Sequence, residues 1–193
     1  MIYKPILSWQ GMALMALFFV ASVTYSVTPF ELPWMNSDQP GVVYRSTDYP
    51  DAVFVIEAYF LSCPYCNENA PNVNALKDKY KDNDRVQVLD VGVDSIDASY
   101  QKWIERHHPN HPVLKDPRGQ KLVVNQLGTV GYPSVYILDC KGKVVVSTDG
   151  VWNMEKKTLL DLAIKKLLMR KCTIDTDDSD ITYLENMFSP LLQ

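Results

Sequence analysis

Glycine, cysteine and histidine are all scarce here: 8, 4 and 3 residues respectively in a chain of 193. So few glycines leave little material for a nucleotide site, and no Gly-rich phosphate loop, G-x-S-x-G element or H-E-x-x-H pair is present. Four cysteines are too few for a miniprotein held by disulfides, so an apolar core must carry most of the folding. There is no excess of positive charge either. Residues 1–27 carry only Lys4, residues 28–172 balance 18 bases against 18 acids, and residues 173–193 carry five acids and no base. A neutral body has no electrostatic footprint for nucleic acid, and none is expected as a partner. With 47% hydrophobic and 22% charged residues, the composition is that of a globular domain and excludes disordered, collagen-like and multi-span membrane chains.

Charge is also missing from Pro5 to Phe30, a stretch preceded by Lys4 and containing the apolar run Gly11–Val23. A basic start before such a run is the pattern of a secretory signal, and the uncharged length also suffices for a membrane anchor. Residues 1–27 are therefore expected to be a signal peptide or a membrane tether, with the body exported to the periplasm, secreted, or held at the inner membrane facing the periplasm. In such a compartment disulfides persist. Residues 28–49, with Pro29, Pro33, Pro40 and Gly41, read as a linker with a short strand at Val42–Tyr44. Residues 50–172 form the domain. Residues 173–193 read as an acidic, solvated or loosely docked tail.

Within the domain, Ala52–Phe60 is apolar and β-branched with one acid, Glu57, at its middle, which reads as a central buried strand. Asn67–Tyr80 reads as a helix, Arg85–Val93 as a strand, Asp97–His107 as a helix, and Gln120–Leu127 as a further short helix stopped by Gly128. Ser134–Leu138 and Lys143–Ser147 read as a hairpin around Asp139–Gly142, and Met154–Arg170 as an amphipathic helix. This order predicts an α/β fold, a mixed central sheet with helices on both faces.

The chemistry-bearing motif is Cys63-Pro64-Tyr65-Cys66, placed where the buried strand ends and a helix begins. Zinc would need about four ligands, usually as two such pairs, and no second pair exists. At a helix N-terminus, unpaired N–H groups and the helix dipole favour a thiolate. This makes Cys63 the expected nucleophile and Cys66 the resolving thiol one turn in. Pro64 fits the first helical turn, where its missing N–H costs nothing.

These residues resemble the thioredoxin-like superfamily, and the likeness extends beyond the cysteines. Glu57 stands six residues before Cys63, where the family has a buried acid. Pro71 stands five after Cys66, at its helix-kinking proline. Tyr132-Pro133-Ser134 matches its cis-proline, and Gly150 its late glycine. The extra chain between Cys66 and Pro133, including Trp103 and the run His111–Asp116, is similar to the TlpA/ResA type of periplasmic thiol–disulfide oxidoreductase. That resemblance implies a thioredoxin-like fold with an insert before the cis-proline strand, and a reductase of disulfides in cysteine-containing exported proteins, recharged by a membrane or periplasmic redox partner. No cofactor is implied, because the cysteines carry the electrons. A DsbA-like oxidase is the alternative direction. Glu57, desolvated in its strand, is expected to exchange a proton with Cys66. Pro133 would leave the Tyr132 backbone free to pair with an extended substrate, with Pro64, Tyr65 and Tyr132 lining that groove.

Cys140, in the hairpin turn, and Cys172, after the last helix, are brought near one another by the return path of strand and helix, and are expected to form a structural disulfide. His107, His108 and His111 read as a solvated loop shaped by Pro109 and Pro112. The competing reading is a copper chaperone using Cys63, Cys66 and a histidine.

Overall fold

The computed structural model describes residues 26–170 and 172. Among these, seven strands and three α-helices follow in the order β1 (Glu31–Pro33), β2 (Val43–Arg45), β3 (Val53–Tyr59), α1 (Pro64–Lys79), β4 (Val86–Gly92), α2 (Asp97–His107), β5 (Val113–Lys115), β6 (Ser134–Leu138), β7 (Val144–Asp149) and α3 (Met154–Leu168). The main sheet has the order β5-β4-β3-β6-β7, and β1 pairs with β2 in a separate hairpin. β3, β4 and β5 are parallel, whereas β6 runs antiparallel to β3 and β7 antiparallel to β6. β3 is central because it is apolar on both faces, and all seven of its residues are buried.

Alternation along the strands decides what each face carries. Val53 and Val55, with Val88, Val135 and Ile137, pack against Val73 and Leu76 of α1 and Leu160 and Ile164 of α3. Tyr59 continues that face under Tyr100 and Trp103 of α2. Gly92 stands here because a Cβ would lie 2.6 Å from the Tyr100 ring and 2.9 Å from Tyr59. Phe54, Ile56, Ala58, Leu89 and Val91 point the other way, onto Phe30, Leu32, Tyr44, Leu122 and Val123. The fold is thioredoxin-like, a mixed five-stranded sheet flanked by helices. All three α-helices share one face, and the hairpin β1–β2 and an irregular segment cover the other.

Two segment readings change for physical reasons. Residues 28–49 are folded rather than a tether. Phe30, Leu32 and Tyr44 are buried, each contributing about 1.5–3 kcal/mol. The hairpin is also stitched to the sheet, Met35 N–H donating to the Val113 carbonyl at 2.7 Å. Docking begins at Val27, whose N–H donates to the Gly142 carbonyl at 2.8 Å. Residues 120–127 form successive turns instead of a helix. The buried carboxylate of Asp116 accepts the N–H groups of Lys121, Leu122 and Val123 at 2.8–2.9 Å, which winds the chain around that side chain. The expected signal or anchor lies, but for Ser26 and Val27, outside the described residues, as does the acidic tail 173–193. No helix among the described residues is long and apolar enough to cross a membrane.

Candidate redox site

β3 ends at Tyr59 and delivers the chain directly to Cys63, the N-cap of α1. Cys63 and Cys66 are joined as a disulfide. Pro64 occupies the first turn of α1, which begins three residues earlier than the sequence reading placed it. The Cys66 N–H donates to Cys63 Sγ at 3.0 Å, so the helix end directs a backbone donor at the outer sulfur. Cys63 is 2% exposed and Cys66 is 0%. Tyr65 projects outward at 62% exposure. Tyr132 packs edge-on against Phe60 at 5.4 Å between ring centroids. The Tyr132–Pro133 peptide is cis, and the Pro133 carbonyl accepts the N–H of Gly150 at 2.8 Å. Gly150 has φ +71, a conformation that favours glycine.

Asn67 ties the cysteine turn to α2. Its amide nitrogen donates to the carbonyls of Leu61 and Cys63, and its oxygen lies 2.6 Å from Arg106 Nη1 and 2.9 Å from His107 Nε2. Asn67 and Arg106 were not singled out in the sequence, because polar residues on a helix surface look solvated until a partner helix is placed.

Glu57 lies on the helix-covered face of β3, 1% exposed. Asn69 Nδ2 donates to its Oε1 at 2.7 Å. Burial, reinforced by the neighbouring Asp90 carboxylate, holds the Glu57 carboxyl well above the usual carboxylate range, opposed by the Asn69 hydrogen bond. The native state therefore keeps this proton after the unfolded chain has lost it. The stability this contributes is full below the ordinary value of 4.5 and drains away as pH rises towards the folded-state value. Glu57→Gln cannot ionise. Its stability relative to the parent should grow by about 1.4 kcal/mol per pH unit above 4.5, until Glu57 itself ionises in the folded protein. Urea unfolding of both proteins from pH 4 to 9 reads this directly, and parallel pH curves would refute it.

The remaining residues sort by place. Cys140 and Cys172 are joined as a disulfide with Cα atoms 6.0 Å apart. In the register of β3 with β6, Phe54 faces Leu138 and Ala58 faces Ser134, so Cys140 lies at the end of the sheet opposite Cys63. Of the three histidines, His108 is exposed after α2, but His111 is 4% exposed and stands 3.0 Å from Asp90, not with the cysteine pair. Among the described residues no group of three His, Cys, Asp or Glu side chains is gathered for a metal ion.

Residues 23–147 match the AhpC/TSA family. The chain is 26% identical to the thiol–disulfide oxidoreductase ResA of Geobacillus thermodenitrificans strain NG80-2, over 78% of this chain and 84% of ResA. It is 27% identical to NHL repeat-containing protein 2 of Bos taurus over 66% of this chain, but spans only 18% of that relative's length. Among solved structures, a thiol:disulfide interchange protein DsbE from Chlorobium tepidum superposes with a TM-score of 0.64 at 24% identity, covering 75% of this chain and 96% of that one. The family match takes in the central strand, the Cys63–Cys66 helix and the cis-proline strand, so the chain belongs to the AhpC/TSA family and is a thioredoxin-like protein of the thiol–disulfide oxidoreductase kind that ResA represents.

Proposed function

We propose that the protein exchanges dithiol and disulfide with cysteine-containing exported proteins, acting as a reductase recharged by a membrane or periplasmic redox partner. The observation that carries this reading is the Cys63–Cys66 disulfide at the N-terminus of α1, with a buried, proton-holding Glu57 hydrogen-bonded to Asn69 of the same helix. In recharging, a donor thiolate attacks Cys63 Sγ, the Cys63–Cys66 bond breaks, and Cys66 leaves as a thiolate. That thiolate is fully buried, so its charge is costly and it takes the Glu57 proton. A second donor thiolate then releases Cys63, completing a two-electron reduction. The working half-reaction is the reverse. Cys63 thiolate attacks a substrate disulfide, and Cys66 returns its proton to Glu57 and displaces the substrate sulfur. Tyr132, beside cis-Pro133, would offer its backbone to an extended substrate strand, with Tyr65 and Pro64 at the rim. An exported location is consistent with the uncharged amino-terminal stretch and with two disulfides in one chain.

The deciding measurement is the equilibrium potential of the Cys63–Cys66 couple against glutathione on the full chain, followed by alkylation of those two cysteines so that Cys140 and Cys172 do not contribute. A value near about −270 mV, as in thioredoxin, is expected. A value near about −120 mV, as in DsbA, would reverse the direction and make the protein a disulfide donor. A pair that does not cycle with glutathione would sink the reading.

A further inference from the structure

Glu57, hydrogen-bonded to Asn69 of the helix that the disulfide opens, does not stand alone. In the parallel ladder of β3 and β4 its register partner is Asp90, also 1% exposed. Two carboxyl groups side by side in a dry interior do not both ionise unless a cation accompanies them. Their donors are unequally divided. Asp90 Oδ2 accepts the indole N–H of Trp103 at 2.9 Å, and Asp90 Oδ1 lies 3.0 Å from His111 Nε2, both side chains being almost fully buried. That last contact has ion-pair distance without hydrogen-bond alignment. Glu57 has one amide donor, and its Oε2 has none.

The amides around the pair fix who donates. Asn69 Oδ1 accepts from the Trp152 N–H and from Asn72 Nδ2, both at 3.0 Å, which leaves its Nδ2 for Glu57. Asn110 Nδ2 donates to the Asn74 carbonyl at 3.1 Å and Asp78 Oδ1 at 2.8 Å, which leaves its Oδ1 facing His111 Nδ1 at 3.0 Å. Both ring nitrogens of His111 thus face oxygens, Nδ1 that of Asn110 and Nε2 that of Asp90. We propose that the buried Asp90–His111 pair is a positioning device for the redox site: Asp90 holds the proton on Glu57, and His111, acting through Asp90, sets how readily Glu57 gives that proton to Cys66. This rests on the reading that Glu57 serves Cys66.

The other titratable groups facing the cluster are known. They are Tyr59 on β3 and Tyr100 on α2, both held protonated by burial; Asp94, near both tyrosines; His107 on α2, pushed down by burial and by Arg106; and Cys66 once reduced. None stands at ion-pair distance from Asp90 as His111 does.

The test uses the oxidised full chain and follows the infrared carbonyl band of a protonated carboxyl against pH, assigned to Glu57 by its loss in Glu57→Gln. Asp90→Asn removes the like charge and should move the Glu57 midpoint down by about one pH unit or more. His111→Gln removes the cation and should move it up. With Asp90 already replaced, His111→Gln should add nothing. The rate of disulfide reduction by dithiothreitol, relative to the parent at each pH, should bend at the same shifted midpoints. Unmoved midpoints, or shifts in one direction for both variants, overturn the inference while leaving Glu57 in its role, provided that Glu57→Gln slows reduction. If Glu57→Gln leaves reduction unchanged at every pH, the underlying reading and the inference fall together. Should either substitution prevent folding, nitrogen-15 spectra of the parent decide. Both His111 ring nitrogens should be protonated while the Glu57 band is present, and a ring with one proton overturns the proposal.

Discussion

Cys63→Ser should reduce disulfide exchange to the uncatalysed level, while Cys66→Ser should stop turnover but accumulate a covalent adduct with the substrate. The two outcomes differ because the sulfurs differ in position, not in kind. Cys63 is the N-cap of α1 and keeps the small opening of the pair, with the Cys66 N–H aimed at its sulfur. A backbone donor stabilises the charged form of the atom it faces, so a thiolate is favoured there. Serine would receive the same N–H, but its alkoxide is too basic to form at neutral pH and makes no exchangeable bond with sulfur. Cys66 should not take over, because it is fully buried. Loss of a covalent nucleophile acts on the scale of about 10⁴ to 10⁶ in rate. With Cys66→Ser, the first attack survives and the second does not, so the mixed disulfide at Cys63 persists. Mass spectrometry of acid-quenched reactions would show one substrate thiol added at Cys63. An adduct on Cys66 in the Cys63→Ser protein, or residual turnover in that variant, would contradict the assignment.

How much of this could be read from the sequence depends on how local each cause is. β3, α1 and the cysteine turn are adjacent in sequence, and the change from a β-branched run to Cys-Pro-Tyr-Cys marks their junction without any tertiary information. The hairpin β6–β7 is equally local. β1 and β5 are three residues each, too short for a period to emerge, and β1 includes Pro33, which argues against a strand wherever a ladder N–H is needed. The turns at 120–127 misled because Leu122, Val123 and Leu127 have a helix-like spacing. What bends them away is the carboxylate of Asp116, five to seven residues earlier. Asp90 did leave a signal, a single acid inside the apolar run of β4, as Glu57 is in β3. That the two stand opposite each other follows only from the register of a parallel pair separated by α1. His111 shows the same limit: a His-rich, Pro-flanked loop reads as solvated until the sheet edge places it over Asp90.

Replacing Cys140 and Cys172 together by serine should be the most destabilising change outside the redox site, while exchange at Cys63 continues. The bridge closes a separation of 32 residues, spanning β7 and α3. In the chain-entropy account, a closed loop of that length restricts the unfolded ensemble by about 3–4 kcal/mol at 25 °C. The folded state has a second hold on the same place. Arg85, at the start of β4, donates from Nη1 to the Leu168 carbonyl at 2.9 Å and from Nη2 to the Arg170 carbonyl at 2.8 Å. These bonds satisfy carbonyls at the end of α3 that the helix itself leaves open. Leu160, Ala163, Ile164 and Leu167 anchor the same helix in the core. The folded geometry of α3 should therefore persist without the bridge, and the loss should fall on the unfolded side of the equilibrium. Two readouts separate this from a role in electron transfer. The urea midpoint of the double serine variant should drop by an amount matching about 3 kcal/mol or more, with a steeper slope because the unbridged unfolded chain exposes more surface, and the potential of the Cys63–Cys66 couple should stay where it was. A shifted potential with unchanged stability would mean that Cys140 and Cys172 take part in the exchange. That outcome would require a route between sulfurs at opposite ends of the sheet, against the register of β3 and β6.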